Sequence, residues 1–196
     1  MYEFTDNVIR HLNREYIGIF SQLKRKSLAK MDEITVLDEV KKTYKRLVEI
    51  TIPLLVEVAN WAYHDYSDRG SLTEMWLTGF LDLYSPVTKY SFSSEVERKQ
   101  SRLFEALVAT KGSPAEVDAA LRYWSKMIAE YAVEITDTAT LEAFRDIGIE
   151  AVEWFTAEDE RVCAECGKRH GKRYRIDAIP PKPHWGCRCY RIPVIE

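Results

Sequence analysis

The sequence predicts a mainly α-helical protein, a helical body followed by a small C-terminal zinc-binding β/loop module. Three observations carry this prediction. Apolar residues recur at steps of three and four through the first three-quarters of the chain. Helix-start signals punctuate that region. All four cysteines fall between Cys163 and Cys189, in a stretch rich in prolines, aromatics and β-branched residues. The division is read as 1–148 for the body and 149–196 for the Cys/His metal-binding module.

The first helix places Val8, Leu12, Tyr16, Ile19 and Leu23 on one face, and the basic run Lys24–Lys30 ends it. A longer run follows, with Leu37, Val40, Tyr44, Leu47, Leu54, Val58 and Trp61 at helical spacing. Pro53 lies inside it and lacks the N–H that an interior position needs, so a kink or break is expected near Ile52. Trp61, Tyr63, His64 and Tyr66 form an aromatic group at its end, read as packing in preference to a base-stacking platform. His11 and His64 are read as helix residues and not as ligands.

Three further starts fit a capping box: Ser71–Glu74, Ser94–Glu97 and Ser113–Glu116. In each, a serine oxygen accepts a backbone N–H and a glutamate reaches back to the cap. Pro114 adds a preset first helical residue to the third. From there Val117, Leu121, Trp124, Ile128, Tyr131 and Ile135 alternate steps of four and three, a seam for another helix. A separate short helix is expected over Thr138–Asp146, closed by Gly148.

After Gly148 the character changes. "IEAVEWFTA", "KRYRID" and "CYRIPVIE" read as short strands, and the prolines of "AIPPKPHWG" enforce an extended loop. No apolar run approaches the roughly 20 residues of a membrane span. The N-terminal stretch has no basic region followed by an apolar core, so no secretion signal is expected there. A reducing compartment then favours metal or redox chemistry over structural disulfides for clustered cysteines.

The cysteines are arranged as C-x2-C at Cys163 and Cys166 and C-x-C at Cys187 and Cys189, with His184 three residues before Cys187. A C-x2-C turn aims two sulfurs at one point, and an extended C-x-C places both side chains on one face. Zinc takes four such ligands in a tetrahedron. Five candidates are present, so the four cysteines are favoured, with His184 as substitute or support. Gly167 and Gly186 flank the pairs and would ease tight turns. The module has few apolar residues, so a structural zinc would supply much of its folding energy.

Other readings stay open. Two disulfides would need an oxidising compartment, and a thioredoxin-like pair would need a βαβ context. The H-x-E…P-C-x-x-C pattern of zinc deaminases is absent. An HNH-type nuclease also carries a C-x2-C knuckle, although His184 lacks its usual setting.

Charge is uneven along the chain. From Glu160 onward there are nine Lys/Arg and four acids, a net of +5, against 19 and 27 in the remainder, a net of −8. Arg161, Lys172, Arg173, Arg175, Arg188 and Arg191 are therefore candidates for contact with an acidic partner or with nucleic acid, as phosphate contacts without sequence information.

The order W-x4-D-x-R-V-C-x2-C-x4-G-x2-Y…P-x-P-H-x2-C-R-C…P-V resembles the C-terminal signature of phage Mu F-like minor head proteins, also called head morphogenesis proteins. Here it comprises Trp154, Asp159, Arg161, Val162, Cys163, Cys166, Gly171, Tyr174, Pro181, Pro183, His184, Cys187, Arg188, Cys189, Pro193 and Val194. The resemblance implies a virion component inside the head, present in the host cytoplasm during assembly. It implies contacts with the portal, other head proteins and packaged DNA, in assembly and in packaging or ejection. It implies binding and not catalysis, with no membrane and no small-molecule substrate. At 196 residues the chain is short for that family, so a compact or shortened member is expected. The alternatives are a zinc-knuckle nucleic-acid-binding protein of prophage or bacterial origin and an HNH-like nuclease.

Overall fold

The structure is a computed structural model. It describes residues 3–72, 74–82, 91–157, 162–184 and 187–195. Helix α1 covers Glu3–Lys24, and a short 3-10 turn at Leu28–Lys30 leads into α2, Glu33–His64. Helices α3 (Glu74–Asp82) and α4 (Phe92–Ala109) follow, and α5 covers Pro114–Asp146. The three long helices α1, α2 and α5 pack against one another. Helix α4 lies against α2 and α5, and α3 against α2 and α4.

The core shows why these helices meet. Trp124 of α5 is fully buried, and its ring stands edge-on to Tyr16 of α1 at 6.1 Å and to Tyr44 of α2 at 5.5 Å. Each such aromatic pair adds about 0.5–1.5 kcal/mol beyond area burial. Around it sit Leu12, Phe20 and Leu23 of α1, Val40, Leu47 and Leu55 of α2, and Ile128, Ala132 and Ile135 of α5. Buried hydroxyls are paired across this core. Tyr16 donates to Thr51 at 2.7 Å while Thr51 donates to the Leu47 carbonyl. Thr5 donates to Thr136 at 2.9 Å while Thr136 donates to the Ala132 carbonyl.

Four sequence expectations change. Helix α2 continues through Pro53 without a break. Thr51, Leu55 and Val58 are buried on both sides of the proline, so packing holds the two halves in line. Helix α5 likewise continues through Thr138 to Asp146, replacing the separate short helix. Thr136, Thr138 and Thr140 each donate to the carbonyl four residues earlier, so their hydroxyls do not draw the backbone out of the helix. Helix α4 is capped at Ser91, whose side chain accepts the Ser94 N–H, three residues before the expected cap. Ser113 caps α5 without a side-chain bond, leaving Pro114 as the start signal. The expected start at Ser71–Glu74 includes Thr73, which lies outside the described residues.

The aromatic group at the end of α2 is packed inward. Trp61 stacks on Phe4 at 5.2 Å, Tyr66 meets Phe144 edge-on at 4.8 Å, and Tyr63 is buried. The Tyr63 hydroxyl lies within hydrogen-bond reach of two acceptors, the Asp146 carboxylate at the end of α5 and the Arg69 carbonyl.

Gly148 closes α5 with φ +82°, and the Ile149 N–H returns to the Phe144 carbonyl at 2.9 Å. The chain then enters strand β1, Ala151–Phe155, with Val152 and Trp154 buried in alternation. A one-turn helix α6, Ala164–Gly167, precedes β2, Arg173–Arg175, and β3 covers Tyr190–Pro193. Among the described residues the sheet order is β2-β1-β3, both pairings antiparallel, with Trp154 opposite Arg191. Strand β3 packs against α5 and so seats the sheet on the body.

Candidate metal centre

The C-x2-C pair is built by a helix cap. Cys163 is the N-cap of α6 in extended conformation, and its sulfur accepts the Cys166 N–H at 3.4 Å. That turn brings both sulfurs to one side, with Cys166 facing inward and 1% exposed. The C-x-C pair arrives from the far end of the module, immediately before β3. Cys187 Sγ lies 3.4 Å from Cys166 Sγ, and His184 Nε2 lies 3.9 Å from Cys166 Sγ.

Two ligand triads result: Cys163, Cys166 and His184, and Cys166, Cys187 and Cys189. Within each, the donor atoms lie within 4.8 Å of one another. Cys166 belongs to both. All five candidate ligands therefore gather about one buried thiol. Trp154 of β1 completes the small apolar cluster around Cys166, Cys187 and Cys189, with Tyr174 and Ile179 against it.

The electrostatics show why a cation suits this place. The Cys163 thiol is pulled down to about 7, first by the Cys166 backbone N–H, with help from the Cys166 and His184 side chains. Burial pushes the Cys166 thiol well up, and the sulfurs of Cys189, Cys187 and Cys163 push it further. Burial also raises Cys187, against the pull of the Cys189 backbone N–H. Crowded, desolvated thiols resist becoming thiolates by themselves. A divalent cation reverses that balance and deprotonates them outright. Within each triad the spacing is compatible, since ligands about 2.3 Å from a tetrahedral zinc lie about 3.8 Å apart. The cluster can hold a metal ion.

The sequence-predicted basic residues divide into groups. Lys172, Arg173, Arg175 and Arg188 are exposed. Arg173 pairs with Glu153 at 3.3 Å, and Arg175 grips Asp177 through two bonds. Arg161 lies outside the described residues, as does Gly186. Arg191 departs from the expectation of a partner contact. It is 4% exposed, pairs with Asp137 of α5, and lies over the Trp154 ring at 4.4 Å. Its charge is consumed inside the protein, because a guanidinium so deeply placed needs a carboxylate beside it. Gly167 sits within α6, and the left-handed glycine that follows it is Gly171, φ +72°.

Asp137 and Lys182 were not singled out by the sequence reading. Asp137 is 7% exposed and Lys182 9%, with 3.5 Å between Nζ and the carboxylate. Lys182 also donates to the Cys187 carbonyl at 3.1 Å. The available signal was an acid among Ile135, Thr136, Ala139 and Thr140, positions whose spacing marks them as inward-facing.

The fold and site together define a helical protein bearing a cysteine/histidine module docked on its last long helix. Residues 108–192 match the family described as Phage Mu protein F like protein. The match covers α5, the cysteine cluster and most of β3, so this C-terminal part of the chain is similar to that family. No curated protein matches the chain, and no solved structure does. Among the described residues, no helix is long and apolar enough to cross a membrane.

Proposed function

We propose that this chain is a minor head protein of a phage. In this reading it acts in capsid assembly and in DNA packaging or ejection by contacting the portal and other head proteins. It works by binding and not by catalysis, inside the head after assembly in the host cytoplasm. The observation that carries the reading is the family match over 108–192, which includes the C-x2-C…H-x2-C-x-C site. The exposed Lys172, Arg173, Arg175 and Arg188 are the basic side chains that would meet an acidic portal surface or DNA backbone, two of them already beside Glu153 and Asp177.

The metal in this proposal is zinc, held by the four cysteines with His184 substituting or supporting, and its role is structural. Thiolates and imidazole are the ligands zinc prefers. When bound, zinc supplies charge compensation and a fixed tetrahedral template. The residues supply the rest: Cys163 sets the turn, Cys166 joins the two triads, and Trp154 covers the apolar side.

Co-expression with phage portal and head proteins tests the function. The chain is expected to co-purify with portal-containing heads, and Arg173→Ala/Arg175→Ala is expected to reduce that recovery. Recovery only in the soluble fraction, combined with salt-dependent DNA binding, would favour the nucleic-acid-binding alternative. Metal-dependent DNA cleavage abolished by His184→Ala would favour the nuclease.

A further inference from the structure

We infer that Asp137, on the helical body, is a positioning residue for the metal centre, and that metal binding and seating of the sheet on α5 are linked. The inference rests on the metal reading above and is independent of the phage assignment. It follows from two contact paths that begin at one carboxylate. Along the first, Asp137 lies 3.5 Å from Lys182 Nζ, and Lys182 donates to the Cys187 carbonyl. Along the second, Asp137 pairs with Arg191, two residues beyond Cys189, and Arg191 lies over Trp154. Trp154 in turn packs with Cys166, Cys187 and Cys189.

The two paths grip the C-x-C segment at both ends. Lys182 fixes the backbone at Cys187, and Arg191 fixes the strand that leaves Cys189. Asp137 is the common anchor, and all three charged groups are at least nine-tenths buried. Asp137 is in contact with both Lys182 and Arg191, so one carboxylate holds the two ends in register. Without Asp137, two buried cations would repel each other, and Lys182 would swing toward water and release the Cys187 carbonyl. The linkage is reciprocal. A metal ion that fixes Cys187 and Cys189 presents Lys182 and Arg191 to Asp137 in the seated geometry. Both ends of the clamp lie within the segment 108–192 that matches the family.

A purely structural clamp would lower stability and leave metal affinity alone, so affinity is the deciding readout. Zinc affinity of the full chain is measured by competition with a chromophoric chelator, with far-UV circular dichroism recorded alongside. Asp137→Asn, which keeps the shape and removes the charge, is expected to retain the helical spectrum and bind zinc at least fivefold more weakly. Removal of such outer partners typically costs about 10–100-fold. If Asp137→Asn loses the helical spectrum, Lys182→Gln takes its place under the same threshold. A change smaller than fivefold overturns the linkage while leaving the metal reading intact. A wild-type chain that binds no zinc overturns both.

Discussion

Asp137 of α5 and Arg191 of β3 form a buried ion pair, 7% and 4% exposed, between residues 54 positions apart. The guanidinium also lies on Trp154, so one side chain joins the helical core to the cysteine cluster. Removing one partner of such a pair leaves an uncompensated charge and costs about 3–5 kcal/mol. Arg191→Met is expected near the low end, because Lys182 stays beside Asp137. Asp137→Leu strands both Arg191 and Lys182 and is expected to cost more, and the double variant Asp137→Leu/Arg191→Met should cost less than the two single losses added together. Urea denaturation of the wild type, the two single variants and the double variant checks this, and additive losses would show that the pair is not coupled.

Cys166 is common to both ligand triads, whereas His184 belongs to one and is exposed. Cys166→Ser is therefore expected to abolish stoichiometric zinc, while His184→Ala retains it with lower affinity. Elemental analysis of protein purified without chelator reads the difference, against about one zinc per chain for a tetrahedral site. Loss of zinc in His184→Ala with retention in Cys166→Ser would reverse the ranking.

Gly112 sits at φ +79° against the 3-10 turn between α1 and α2. A Cβ there would lie 2.8 Å from the Ala29 nitrogen and 2.8 Å from Leu28 Cβ. Both the backbone conformation and the backbone neighbour oppose a side chain. Gly112→Ala is expected to destabilise by about 1–3 kcal/mol, read as a lower thermal midpoint with the zinc content unchanged.

Burial pushes the Tyr16 hydroxyl up to about 12 from its ordinary 10.0, against the opposing pull of its bond to Thr51. The folded state thus resists deprotonation that the unfolded chain accepts. This contribution is intact below pH 10 and is lost as pH rises toward about 12. Tyr44, raised by its burial, acts in the same direction. Denaturation midpoints should fall across that window, and Tyr16→Phe should flatten part of the fall. An unchanged slope in Tyr16→Phe would show that Tyr16 does not contribute.

Much of this was legible in the residues themselves. The stripe Val8, Leu12, Tyr16, Ile19, Leu23 is buried as read, and so are Val117, Trp124, Ile128, Tyr131 and Ile135. The gathering of cysteines was legible because C-x2-C and C-x-C spacing marks converging thiols more directly than any propensity. The stripe beyond Pro53 runs through the fully buried Leu55, where helical spacing from the sequence takes Leu54. What else escaped the reading was polar residues in apolar roles. Thr138, the expected start of a separate helix, instead bonds along an unbroken helix, as Thr136 and Thr140 do. Arg191 looked like surface charge because its partner lies far away in the chain. Period and propensity carry no information about a carboxylate 54 residues upstream.

The sheet also limits how copies of this chain can meet. Its outer strand β2 has three residues, two of them exposed arginines, and β3 backs onto α5 and ends at Pro193. Short, charged or proline-ended margins offer little ladder for a foreign strand. Crowding many copies together should therefore not zip them into fibrils through this module, and self-association would have to use side-chain surfaces instead.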